Sequence, residues 1–163
     1  MHLVVHADQR QFSVRDSRSK LDGSGWTAQA VDHRIAAEPG GLAIVTARSD
    51  LVESSVTLVP GPPSLRAEAE HVVEADLPVP SGKLVISGPA DYPSQEKFFS
   101  VLPGLYRARV SYVPAGPPAT EWNEHEFGEH FEVRAGDVAG VGALRGGSAE
   151  AGRGGLGRLV PRV

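Results

Sequence analysis

Apolar and polar residues alternate along this chain in short runs, with the period of a strand far more often than that of a helix. Phe12 and Val14 alternate with Ser13 and Arg15, and Val73, Ala75 and Leu77 with Val72, Glu74 and Asp76. The clearest run is Leu105–Val113, where Tyr106, Ala108, Val110 and Tyr112 line one face and Arg107, Arg109 and Ser111 the other. Phe131 and Val133 alternate with His130, Glu132 and Arg134 in a last strand. Leu42–Ala47 is apolar at every position but Thr46, as in a central strand covered on both faces. Val56 with Leu58, Leu84 with Ile86, and Phe99 with Val101 mark shorter strands.

Three marks punctuate these runs: Pro39-Gly40-Gly41, Pro80-Ser81-Gly82 and Pro103-Gly104. Proline presets φ and glycine permits positive φ, so each can reverse the chain before a strand begins. About eight or nine short strands separated by such turns predict an all-β fold, an antiparallel β-sandwich. One segment breaks the pattern. Residues 26–35 lack alternation and place Trp26, Ala30 and His33 on one helical face, with Ser24 or Thr27 as a start cap and Pro39 as a stop. A short helix is expected there, its Trp26 buried over one end of the sandwich.

From Gly140 onward glycine and arginine dominate without a period, which predicts a disordered tail over 140–163 after a single sandwich domain over 1–139. The 163 residues suffice for one core without staples, and cysteine is absent, so disulfide and thiolate chemistry are excluded. The start, Met1-His2-Leu3-Val4-Val5-His6, has neither a basic leader nor a secretory apolar run, and no apolar stretch reaches the about 18 residues of a membrane span. A cytoplasmic location is expected. Four arginines against Glu150 give residues 140–163 a charge of +3, leaving −7 on the rest. A body of that sign repels phosphate backbones, so direct nucleic-acid binding through it is not expected, and a protein partner with a basic surface suits it better.

The densest chemistry lies in Glu121-Trp122-Asn123-Glu124-His125-Glu126-Phe127-Gly128-Glu129-His130-Phe131-Glu132. Its two histidines are five apart, whereas a helical zinc pair needs four. On a strand that interval sends them to opposite faces, and the pair His130 and Glu132 alone makes no metal site. No nucleophile elbow or phosphate loop is present, so neither a catalytic residue nor a cofactor is assigned. Arg107 and Arg109 are expected as an exposed pair, solvating the sheet, meeting carboxylates across it or forming a contact patch.

The run from Gln11 to Tyr112 resembles the competence protein J family, the DNA-entry nuclease inhibitors. The likeness is carried by Gln11-Phe12-Ser13-Val14, by Trp26-Thr27-x-x-Ala30, by Ala36-Ala37-x-Pro39-Gly40, by Val72-Val73-Glu74 with Val79-Pro80-Ser81-Gly82, and by Leu102-Pro103-Gly104-Leu105-Tyr106-Arg107-Ala108-Arg109. The sequence departs at Arg34, where the family often has glycine, in the acidity of 121–132, and in the tail. The resemblance implies a small all-β intracellular protein that inhibits a DNA-degrading nuclease without catalysis of its own.

Three functional readings follow. In the first, the chain is a non-catalytic interaction protein whose Glu124, Glu126 and Glu129, with Trp122, meet a basic partner such as a nuclease. The alternative is a sandwich that binds a carbohydrate or other small molecule, with Trp122 stacking on the sugar. The third, a metal enzyme built on His125 and His130, has the spacing against it.

Overall fold

A computed structural model of the chain describes residues 2–47, 49, 51–61, 67–114 and 129–137. Among them run ten strands: β1 (His2–His6), β2 (Gln11–Asp16), β3 (Ile35–Glu38), β4 (Gly41–Val45), β5 (Leu51–Val59), β6 (His71–Val79), β7 (Lys83–Ser87), β8 (Lys97–Ser100), β9 (Gly104–Pro114) and β10 (Glu129–Asp137). One helix, α1 (Ala28–Asp32), and a single 3₁₀ turn at Asp8–Arg10 complete the described elements. No helix among the described residues is long and apolar enough to cross a membrane.

Alternation decides how the strands stack. In β6 every second residue from Val73 to Val79 is buried, and in β2 Phe12, Val14 and Asp16 are. These inward rows build two five-stranded sheets, ordered β1-β5-β10-β9-β6 and β3-β4-β2-β7-β8. Neighbours pair antiparallel except β5 and β10, which run parallel. One core joins the sheets: Leu3, Val52, Leu77 and Val110 from the first pack with Phe12, Ile44, Leu84 and Ile86 from the second. Each such burial is worth about 1.5–3 kcal/mol before ordering costs. The expected β-sandwich is therefore present.

The turns follow the punctuation at two of the three marks. Gly40 (φ 101°) and Gly82 (φ 70°) both sit in the left-handed region, and at Gly40 an added Cβ would come 2.1 Å from the Ser19 hydroxyl oxygen. The third mark differs, since Gly104 already lies on the β9 ladder opposite Val79.

The expected helix over 26–35 is corrected to five residues. Thr27 caps it, its hydroxyl accepting from the Ala30 N–H at 3.1 Å. The helix ends before Pro39 is reached, because Ile35–Glu38 pairs with β4 and buries Ile35 in the core beside Ile44. Trp26 is corrected too. It is half-buried and packs with Leu21 against Ala30, Ala36 and Ala43 on the outer side of the second sheet, not over an end of the core. That outer cluster explains why β4 is apolar on both faces: Leu42 and Ile44 point inward while Ala43 lies under the helix and Trp26.

Candidate functional site

The residues singled out by the acidic run lie largely beyond the described structure. Trp122, Glu124, His125 and Glu126 fall outside the described residues, as does the tail over 140–163. Glu129 opens β10 opposite Pro114, and His130 and Glu132 follow opposite Val113 and Ser111. Among the described residues no group of three or more histidine, aspartate or glutamate side chains converges as metal ligands.

Of the readings open for Arg107 and Arg109, the structure shows the one in which they meet carboxylates across the sheet, and it corrects the expected exposure of Arg109. Arg109 is 8% exposed. Its Nε donates to the Glu74 carboxylate at 2.7 Å, and Arg107 bridges to Asp76 at 3.1 Å. Register brings these charges together, since Glu74 lies opposite Arg109 and Asp76 opposite Arg107. They stitch the outer face of the first sheet, Arg109 from a buried position and Arg107 from a part-exposed one.

Among the described residues, the second sheet carries a groove of about 560 Å³ on its outer face. The alternation that sends Phe12 and Val14 inward turns Gln11, Ser13 and Arg15 of β2 outward, and these form the floor with Ser87 of β7 and Ala43 of β4. One wall is the chain between β2 and α1, bearing Lys20, Leu21 and Trp26; the other is the chain between β7 and β8, bearing Pro89, Asp91 and Glu96.

Each wall is pinned by hydrogen bonds. The Glu38 carboxylate accepts from the N–H groups of Asp22 (2.8 Å), Gly23 (3.0 Å) and Gly25 (3.4 Å). Hydrogen bonds from Ser24 hold the Asp22 carboxyl below the usual range. Asp91 accepts from the Gly88 N–H at 2.7 Å, and the Gln95 side-chain oxygen from the Tyr92 N–H at 2.8 Å. Arg15 ties floor to both walls: it pairs with Glu96 and donates to the Ser19 carbonyl at 3.0 Å. On the floor, the Ser13 hydroxyl donates to the Ser87 carbonyl at 3.1 Å. Sequence reasoning placed Ser13 and Arg15 outward but could not bring Arg15 to Glu96, 81 positions away. Only the strand order does that.

No family model and no curated protein sequence matches this chain. Among solved structures it is similar to the crystal structure of ComJ, inhibitor of the DNA degrading activity of NucA, from Bacillus subtilis. The TM-score is 0.68 at 18% identity, with 85% of this chain and 96% of ComJ covered. It is also similar to the structure described as crocagin biosynthetic gene J, with a TM-score of 0.53, 14% identity, and 82% of this chain and 94% of that one covered. At these identities the likeness is one of fold. The resemblance read from Gln11 to Tyr112 holds at that level.

Proposed function

We propose that this chain is a non-catalytic interaction protein that binds and inhibits a DNA-degrading nuclease. The observation that carries this reading is the fold shared with ComJ across 85% of this chain and 96% of ComJ. Charge supports it: the −7 carried by residues 1–139 is complementary to a surface that has to hold DNA phosphates. The contact is assigned to the acidic connection between β9 and β10, with Glu124, Glu126, Glu129 and Trp122 as its residues. A partner bound there loses its own access to DNA by occupation of the basic surface, which requires no chemistry from the inhibitor.

Two measurements test the reading. The immobilised full chain is used to capture proteins from the organism that makes it, and the eluate is assayed for DNA cleavage before and after adding excess free chain. The expected result is a captured nuclease whose activity falls stoichiometrically with added chain. In parallel, NucA is assayed with and without the chain. An eluate without DNA-degrading activity, together with unchanged cleavage by NucA, would sink the proposal.

A further inference from the structure

The groove on the outer face of the second sheet has no part in the proposed docking of a nuclease, yet it is built like a binding site. Its volume of about 560 Å³ falls within the range of small-ligand sites, roughly 300–1,000 Å³. Its walls are set in advance by the Glu38, Asp91 and Arg15 contacts, so little ordering would oppose a ligand.

The chemistry of the lining narrows what could enter. Two cations, Arg15 and Lys20, meet three carboxylates, Glu38, Asp91 and Glu96. A phosphate-bearing ligand would face those three, with Arg15 already committed to Glu96. A basic ligand fares little better, because Glu38 is taken up by three N–H groups and Asp91 by one. A wholly apolar ligand would strip water from Gln11, Ser13 and Ser87 on the floor without replacing it. What fits is an uncharged molecule with one apolar face and several hydroxyl groups. Trp26 and Leu21 offer the apolar wall. The Gln11 amide, which makes no hydrogen bond among the described residues, can both donate and accept, while the Ser13 and Ser87 hydroxyls, bonded to each other at 3.2 Å and through Ser13 to the Ser87 carbonyl, keep lone pairs that can accept from a ligand hydroxyl. The geometry points to a carbohydrate site, with a sugar ring laid on Trp26 and its hydroxyls directed to Gln11, Ser13 and Ser87.

The site differs from the one the sequence suggested, since it uses Trp26 in place of Trp122. That difference makes it testable. The full chain carrying Trp122→Phe keeps Trp26 as its only indole, because the sequence holds two tryptophans. Glucose, galactose, N-acetylglucosamine, cellobiose, lactose and chitobiose are titrated while indole emission is followed. At least one should give a saturable change, and its midpoint should weaken about tenfold when Gln11→Ala is added, as expected for losing one well-placed polar contact. No saturable change with any of the six sugars, or an unaltered midpoint in the Gln11→Ala variant, overturns the proposal. Should Trp122→Phe fail to fold, the Trp26 indole N–H resonance of the unsubstituted chain is followed by NMR in the same titrations. A resonance unmoved by every sugar overturns it equally.

Discussion

Asp16 is fully buried, and two turns lean on it. Its carboxylate accepts from the Arg18 N–H at 2.8 Å and the Ser81 N–H at 2.7 Å, joining the turn after β2 to the turn between β6 and β7. Burial pushes its pKa up, but hydrogen bonds from Ser81 and Arg18, with the Arg18 charge, outweigh this and leave it below the ordinary 3.8. A carboxyl depressed in the folded state binds protons more weakly there than in the unfolded chain. It therefore adds stability above about pH 4, and loses it as pH falls through the folded value. Asp16→Asn should cost about 1–3 kcal/mol in urea unfolding at pH 7. The gap from the unsubstituted chain should narrow below about pH 4. A gap that stays constant down to about pH 3 would contradict this account. Arg34 carries another residue-scale lesson. Its φ of 58° lies where glycine is favoured, which gives a physical reason for the glycine that the resembled family often has there. Arginine is held by contacts to the first sheet: its carbonyl accepts from the Tyr112 hydroxyl at 2.6 Å, and its guanidinium lies 5.7 Å from the centre of that ring.

Between elements, the tightest approach is at Gly88, immediately after β7. A Cβ there would lie 1.9 Å from the carbonyl oxygen of His6, the last residue of β1. The end of a strand in the first sheet thus rests on the exit of a strand in the second, and backbone on backbone leaves no flexible atom to yield. Gly88→Ala should cost about 3 kcal/mol or more, read as a fall in the urea midpoint, whereas Gly61→Ala, where a Cβ meets open space but φ is 83°, should cost only about 1 kcal/mol. Equal losses at the two positions would show that the close approach does not govern stability. Nothing in the sequence marks Gly88, because its role depends on a strand 82 positions earlier. The same reason separates what was legible from what was not. β2, β6 and β9 were readable because one face of each is solvated or paired with charge, so alternation survives in the residue types. β1 was missed because Val4 is exposed between buried Leu3 and Val5, which blurs the pattern. β3 carried no strand signal, because the expected helix reached Ile35 and Ala36 and Ala37 have little strand preference; pairing with β4 decides it. The groove was invisible for a like reason: its polar residues look like any solvated face until two distant loops are set beside them.

Across the whole molecule, topology sets Glu53, Glu70 and Glu129 at one end of the first sheet. β9 stops at Pro114 and β10 starts at Glu129 directly opposite, so the connection 115–128 leaves and returns at the same place. Glu53 lies there too, opposite His130, and the exposed Glu70 is tied in by its N–H to the Tyr112 carbonyl at 3.0 Å. Glu53 and Glu70 thus stand near the point where the chain departs for the run that is acidic in the sequence, and fields from neighbouring charges of one sign sum. On the proposed function this end steers encounter with a basic nuclease, and steering acts on association more than on dissociation. The triple variant Glu124→Gln, Glu126→Gln, Glu129→Gln should therefore slow association by about tenfold at low ionic strength while dissociation changes little. The difference should shrink toward unity near 1 M salt, where the screening length falls to about 3 Å. Stopped-flow association with the captured nuclease, across a salt series, reads both quantities. An association rate and salt slope identical to those of the unsubstituted chain would remove these three glutamates from the interface, and a loss confined to dissociation would make them packed contacts and not a steering field.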